Sequence, residues 1–331
     1  MSTPIDNNDA SSTPLEDTTQ RHPPPTPSIA AETRSMSVAR IFELFRQHKK
    51  GLFWEVGSAW VEVPLLYEEY CELEQAMEKD DDIWGCVQGK IRYEYDYAAR
   101  KMVIRYPNHH YYTFIREIIN DITNQLMHVR SSDNEAAGVA KNVLLLGSVN
   151  MTEYQQEHYA DASFRHTTFF NHIKRWVFRI VIEVSFPPKR KYLPYLAHDY
   201  IVKSKGNVDL VVGLDIDHWG SKKASVSMWR SRSTRRDGNG EEVWTCEQTL
   251  KNDYFRSEDG SAVEEGSLAF QLRDFVPPWT TDAYQIAGLD IPISIPYSKL
   301  AEYLDYAERK SAESEQWRER HGIPAARRPM M

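Results

Sequence analysis

The stretch WVFRIVIEVSF, residues 176–186, is the most regular apolar segment of the chain and decides its fold class. Side chains alternate between the two faces of a β-strand, and every even-numbered position here is apolar, which predicts one face buried in a core. The other face carries Glu183 among apolar residues. A buried ionised carboxylate is unfavourable unless a cation or hydrogen-bond donors compensate it. The sequence therefore predicts a compensating partner for Glu183.

Two partners for Glu183 are compatible with the sequence. Arg179 lies two pleats away on the same face and could form a structural ion pair. Alternatively, a divalent metal ion could be shared between Glu183 and Asp161, because hard cations bind carboxylate oxygens. The residue pattern alone leaves both interpretations open.

The segments around this strand predict an α/β (α+β) fold. Residues 109–129 have apolar side chains at helical spacing, and residues 141–151 form an apolar run typical of a buried strand. A short strand is expected around Asp161. After the central strand, residues 191–205 predict a helix and residues 207–217 another strand. The predicted order is helix, three strands, helix and strand.

The remaining segments predict extensions of this core. Strand patterns at residues 223–229, 242–250 and 267–275 are expected to extend the sheet, and residues 297–320 predict a charged helix.

The domain organisation follows from composition. Residues 1–36 are rich in Ser, Thr, Pro and Asp, which predicts a disordered tail. We expect an N-terminal elaboration at 37–108, which includes a hairpin centred on Ala98 and Ala99. The main domain is placed at 109–312, followed by a charged tail at 313–331.

Composition also restricts partners and location. A formal charge of -8 argues against a protein that coats nucleic acid through overall charge, although clusters such as Lys189-Arg190-Lys191 could contact phosphates locally. The three cysteines lack zinc-site spacing. No signal-peptide pattern or long apolar run occurs, which predicts an intracellular protein, cytoplasmic or nuclear, that is neither secreted nor membrane-bound.

Four segments carry a family resemblance: ADASFRH at 160–166, RIVIEVSF at 179–186, the long run 192–217, and KASVSMWR at 223–230. Together they resemble a set of fungal proteins assigned to the PD-(D/E)XK nuclease-like superfamily, over about residues 109–230. The resemblance implies a restriction-endonuclease-like core, a mixed β-sheet flanked by helices. That core consists of a helix, three strands, a helix and a fourth strand.

The resemblance also implies site residues. Asp161 stands where the motif Asp stands, Glu183 stands at the acidic position of E-x-K, and Glu117 matches a carboxylate sometimes found on the first helix. Two positions depart from the motif. Ala160 replaces the usual Pro, and Ser185 occupies the position of the catalytic Lys.

A lysine elsewhere could replace the missing one, because some branches of the superfamily carry it on the following helix. Lys191 and Lys203 are then the candidates. A Ser hydroxyl in the E-x-K position would stabilise developing negative charge poorly. The resemblance thus leaves open whether the chain has kept its activity.

The resulting functional expectation is a metal-dependent nuclease that hydrolyses phosphodiester bonds, with Mg²⁺ or Mn²⁺ bound by Asp161 and Glu183. The alternative is an inactive protein of the same fold that acts as an interaction or nucleic-acid-binding module. Nucleic acid is the expected partner of the nuclease and one of the possible partners of the inactive protein, and a homodimer is compatible with the fold.

Overall fold

A computed structural model describes most of the chain. The described residues are 29–50, 60–97, 99–105, 109–147, 149–150, 159–170, 173–185, 190–217, 221–234, 242–280 and 288–322.

An N-terminal unit precedes the central sheet. Its elements are α1 (Ile29–Lys49), β1 (Trp60–Pro64), α2 (Tyr67–Glu78), α3 (Asp81–Lys90), β2 (Arg92–Asp96) and β3 (Lys101–Arg105). The three strands form an antiparallel sheet in the order β1-β3-β2. The predicted hairpin is confirmed by the antiparallel pairing of β2 with β3.

The N-terminal unit has a hydrophobic core of its own. Ile41 and Phe45 of α1 pack with Leu73 of α2 and with Met102 and Ile104 of β3. The elaboration predicted at 37–108 is therefore a packed α+β unit and not a loose extension.

A six-stranded mixed sheet forms the centre of the molecule. Two helices, α4 (His109–Arg130) and α5 (Glu135–Lys141), precede its first strand, β4 (Val143–Leu146). The elements that follow β4 along the chain are β5 (Val149–Asn150), β6 (Tyr159–Ala160), β7 (Ala162–Phe170), β8 (Ile173–Ser185), α6 (Leu193–Lys203), β9 (Leu210–Ile216), β10 (Ala224–Thr234) and β11 (Val243–Arg256). Of these, β5 and β6 pair with each other in a separate two-stranded sheet.

The sheet has the strand order β11-β10-β9-β8-β7-β4. Strands β8 and β9 are parallel, because α6 connects them as a crossover, and the other neighbours are antiparallel. The predicted succession of helix, strands, helix and strand is confirmed, and so is the α/β class.

Helices cover both faces of the sheet. On one face, Ile180, Ile182 and Val184 of β8 pack in a core with Ile118 of α4 and with the C-terminal helix α7 (Tyr297–Arg320). On the other face, Val181 of β8 packs with residues of α6. Glu183 therefore belongs to the α6 side of the sheet, as strand alternation predicts. Within the described residues, no helix is long and apolar enough to cross a membrane.

Two boundary predictions need correction. The segment 267–275 does not extend the central sheet: among the described strands, β12 (Ser267–Gln271) pairs with β13 (Pro292–Pro296) in a separate two-stranded sheet. A 3-10 turn follows β12 at once, with Asp274 accepting a hydrogen bond from the Gln271 N–H, so the strand ends too early to reach the main sheet.

One helix boundary also differs from the prediction. Helix α1 begins at Ile29, inside the predicted tail, because Ala30, Ala31 and Glu32 are good helix formers. Residues 1–28 lie outside the described residues. The charged helix predicted at 297–320 is confirmed by α7, which ends at Arg320 and so includes the first residues of the charged segment that begins at 313.

Candidate active site

Glu183 lies completely buried between β8 and α6. The Tyr200 hydroxyl, on the apolar face of α6, donates a hydrogen bond to Glu183 Oε1 at 2.7 Å. Tyr200 shares that helical face with Leu193, Leu196 and Ala197, which pack on the sheet. The apolar face through which α6 packs on the sheet therefore also places the Tyr200 hydroxyl next to the Glu183 carboxylate.

Asp161 stands immediately before β7 and is also buried. Its Oδ2 accepts a hydrogen bond from the backbone N–H of Val184 at 2.8 Å. Val184 is the residue after Glu183 in the chain. Ala162 is paired with Ile182, so one further step of the same antiparallel register sets Asp161 opposite Glu183. Residues opposite each other in such a pair have Cβ atoms about 5 Å apart. The structure thus brings together the two carboxylates that the sequence singled out.

Ser185, in the position of the E-x-K lysine, faces a different acid. Its Oγ donates a hydrogen bond to Asp215 Oδ1 at 2.7 Å, and the two residues are paired across the parallel strands β8 and β9. The guanidinium of Arg190, at the start of the 3-10 turn Arg190–Tyr192, forms ion pairs with both Asp215 and Asp217.

Asp215 has a perturbed pKa. Burial raises this pKa above its usual value, while the Ser185 hydrogen bond and the positive charge of Arg190 act in the opposite direction. Asp215 and Asp217 therefore fix the segment that leads into α6, in agreement with the structural role that their place at a strand end suggests.

The candidate lysines lie on the surface of α6 and the turn before it. Lys203, in the last turn of α6, forms an ion pair with Asp199 at 2.5 Å. The ammonium of Lys191 lies over the ring of Tyr192, 4.9 Å from its centroid. Both lysines are exposed. Their proposed part in catalysis stays a prediction.

Glu117 lies on the opposite side of the sheet from Tyr200 and α6. It forms an ion pair with its neighbour Arg116 at 3.0 Å on α4, and its charge helps to raise the pKa of Tyr303 on α7. A role for Glu117 beside Asp161 and Glu183 likewise stays a prediction.

Arg179, the alternative partner of Glu183, reaches the loop before β9. Its guanidinium donates hydrogen bonds to the carbonyl oxygens of Gly206 at 3.2 Å and Asn207 at 2.8 Å, and lies 3.7 Å from the carboxylate of Asp209. These contacts tie β8 to the end of α6.

Tyr200 and Arg190 make contacts that the sequence patterns did not predict. The sequence does contain a signal for Tyr200 as a partner of Glu183. Tyr200 lies in the apolar stripe of the helix that follows the strand with the buried acid, and a buried hydroxyl needs a hydrogen-bond partner. Arg190 gives a weaker signal, because a basic residue in a loop is more often exposed to solvent.

The donors around Asp161 and Glu183 suit a hard divalent cation, which prefers oxygen ligands. A third buried oxygen, Ser163 Oγ, has no hydrogen-bond partner among the described residues and lies on the strand that Asp161 begins. Within the same part of the chain, no cluster of three or more His, Cys, Asp or Glu side chains could form a metal centre. A site here would therefore combine two carboxylates with neutral oxygens and water.

Comparison with known protein families finds no matching family model, and comparison with curated proteins also finds no match.

Proposed function

We propose that this chain has a restriction-endonuclease-like core of the PD-(D/E)XK type and is a metal-dependent nuclease whose ion is bound by Asp161 and Glu183. The observation that carries the proposal is the hydrogen bond from the Val184 N–H to Asp161, which fixes one carboxylate beside the strand residue that carries the other. The order α4, three strands, α6 and β9 supports the fold assignment.

Two buried carboxylates on facing strands favour cation binding electrostatically. Like charges that oppose each other across a strand pair destabilise the sheet unless a cation or a shared proton lies between them. A divalent ion removes this repulsion, and Mg²⁺ and Mn²⁺ fit the oxygen donors.

The residues of the chain have distinct roles in this proposal. When bound, the ion supplies Lewis-acid chemistry, which acidifies a water molecule and neutralises charge on a phosphodiester. Tyr200 and the Val184 N–H fix the two carboxylates, so little reorganisation is needed for binding. Lys191 and Arg190, in the 3-10 turn before α6, are cationic groups of the described residues that could contact phosphate.

Calorimetric titration with Mn²⁺ tests the metal site. Asp161→Asn and Glu183→Gln keep the side-chain shapes and remove the charges, and we expect each to weaken Mn²⁺ binding at least about tenfold. Asp217→Asn is the matched control, because Asp217 binds Arg190 and should leave Mn²⁺ affinity unchanged. Equal affinity in all four proteins would contradict the proposed site.

A second candidate function is favoured by the surroundings of Ser185. Its hydroxyl is bound to Asp215, and Glu183 has no exposed surface, which suits an inactive nuclease fold that binds nucleic acid or a protein. That candidate predicts binding of labelled DNA or RNA in EDTA without cleavage when Mn²⁺ is added. Metal-dependent cleavage would exclude it.

A further inference from the structure

Ser163 is a buried hydroxyl on the α6 side of the sheet. It is paired with Val181, whose side chain packs against α6, whereas its neighbours Ala162 and Phe164 belong to the core on the other face. Because alternate residues of a strand share a face, Ser163 lies on the same side as Asp161 and Glu183.

The Oγ atom of Ser163 has no hydrogen-bond partner in the described part of the chain, although the residue is fully buried. Three other buried serines have hydrogen-bond partners there: Ser185 donates to Asp215, Ser204 to the Ile201 carbonyl oxygen, and Ser227 to Asn252. A buried hydroxyl without a protein partner is costly, and such groups usually bind water or an ion.

We infer that Ser163 is a third residue of the metal site, whose hydroxyl contacts the hydration shell of the ion bound by Asp161 and Glu183. The inference rests on the proposed function. Mg²⁺ and Mn²⁺ keep several water ligands when a protein supplies few carboxylates, and those waters need polar groups around them. The strand register places Ser163, whose hydroxyl is buried, diagonally across from Glu183.

The test compares Ser163→Ala with the wild type in Mn²⁺ titration and in metal-free thermal unfolding. We expect Mn²⁺ to bind about tenfold more weakly to the variant, as is typical for loss of an outer-shell contact. Without metal, the midpoint of unfolding should be unchanged or higher, since no internal hydrogen bond is lost. Ser227→Ala is the matched control: its hydroxyl has protein partners, so its unfolding midpoint should fall while Mn²⁺ affinity stays the same.

A second variant, Ser163→Cys, separates loss of the hydroxyl from loss of side-chain volume. A thiol fills nearly the same space as the hydroxyl but is a weak hydrogen-bond partner for water, so Ser163→Cys should weaken Mn²⁺ binding about as much as Ser163→Ala does. Wild-type Mn²⁺ affinity in Ser163→Cys would count against the inference.

The outcomes separate this inference from the proposed function. If the wild type binds no Mn²⁺, the proposed function fails and this inference fails with it. If the wild type binds Mn²⁺ and Ser163→Ala binds it equally well, the metal site stands and only the role of Ser163 is wrong. A lower metal-free unfolding midpoint for Ser163→Ala would show that the hydroxyl has a protein partner, which would also overturn the inference.

Discussion

His166 is a buried side chain whose protonation should affect folding. It lies in β7, almost without exposed surface, and burial together with the positive charge of Arg179 lowers its pKa to about 4. An unfolded chain binds the proton near pH 6.5, whereas the folded protein resists protonation until about pH 4. The free energy of unfolding should therefore be highest above pH 6.5 and fall as the pH is lowered toward 4.

The loss of stability from this histidine should approach about 3 kcal/mol at pH 4. Urea unfolding at about pH 7.5 and about pH 4.5, for the wild type and for His166→Leu, measures it. We expect the variant to lose this part of the pH dependence. An identical pH dependence in the two proteins would show that His166 is not the group that titrates.

Arg190 gives a second prediction at the residue scale. Arg190→Ala leaves the buried Asp215 without its cation and should lower the free energy of unfolding at about pH 7.5 by about 2 kcal/mol. The pKa of Asp215 is already raised by burial and should rise further without Arg190, so the defect should shrink as the pH is lowered and the carboxyl group takes up a proton.

Arg232→Ala is the control for this prediction. Arg232 forms an ion pair with Glu247 on the exposed surface, and such pairs contribute little to stability. Chemical unfolding of both variants at neutral and at lower pH provides the comparison. Equal effects of the two substitutions would contradict the structural role of Arg190.

The residues of the site were only partly accessible from sequence. Asp161 and Glu183 could be singled out from sequence, because strand alternation reveals an acid within an apolar strand and the resemblance to a family motif indicates the other acid. The contacts from Tyr200 and Arg190 could not be fixed in advance. They depend on how α6 rotates over the sheet and on where the loop before it turns, and local patterns do not specify either.

At the scale of elements, the end of α6 depends on a glycine. Lys205 and Gly206, which follow the C-cap Ser204, have positive φ values of 52° and 73°. The Gly206 N–H donates to the Ile201 carbonyl oxygen, as in the Schellman motif that ends many helices. A Cβ atom at this position would lie 2.2 Å from a ring carbon of Trp244 on β11. Both the backbone and the packing therefore require glycine.

Gly206→Ala should lower the free energy of unfolding by about 2 kcal/mol. Gly138→Ala provides a matched control, because Gly138 lies within the short helix α5 and a Cβ atom added there would meet nothing within 4 Å. That change should be neutral or stabilise by up to about 1 kcal/mol. Thermal unfolding compares the two variants, and the prediction fails if they change stability in the same direction.

Helices and strands were predicted correctly where the apolar residues repeat over a long segment. The prediction failed where contacts between distant segments determine which sheet a strand joins. Helix α4 and strand β8 were clear from the spacing of apolar residues. The pairing of β12 with β13 was missed, since β13 is bounded by Pro292 and Pro296 and its partner is determined only when the chain folds back. Propensity alone does not say which sheet a short strand joins.

At the scale of the molecule, a polar contact joins the N-terminal unit to the region that leads into α6. Lys101 Nζ on β3 lies 2.8 Å from Glu62 Oε2 on β1 and donates a hydrogen bond to the Tyr192 hydroxyl at 3.2 Å. The lysine side chain is mostly buried, so the contact is screened less by solvent than a surface pair.

A double-mutant cycle measures this contact. Lys101→Met and Tyr192→Phe remove the two partners one at a time and together, and we expect a coupling free energy of about 1 kcal/mol. The ion pair of Lys310 with Glu313, which is exposed on α7, supplies a comparison in which solvent screening should leave a smaller coupling. A coupling of zero between Lys101 and Tyr192 would show that the two units are not joined by this contact.

We propose that the buried carboxylates of this fold support hydrolysis of nucleic acid. The most direct test is conversion of supercoiled plasmid to nicked plasmid by the purified protein in Mn²⁺, beside the Glu183→Gln variant and an EDTA sample. We predict nicking by the wild type in Mn²⁺ and none above the EDTA level for Glu183→Gln. Equal nicking by the wild type and Glu183→Gln, or none by a wild type that binds Mn²⁺, would contradict the proposal.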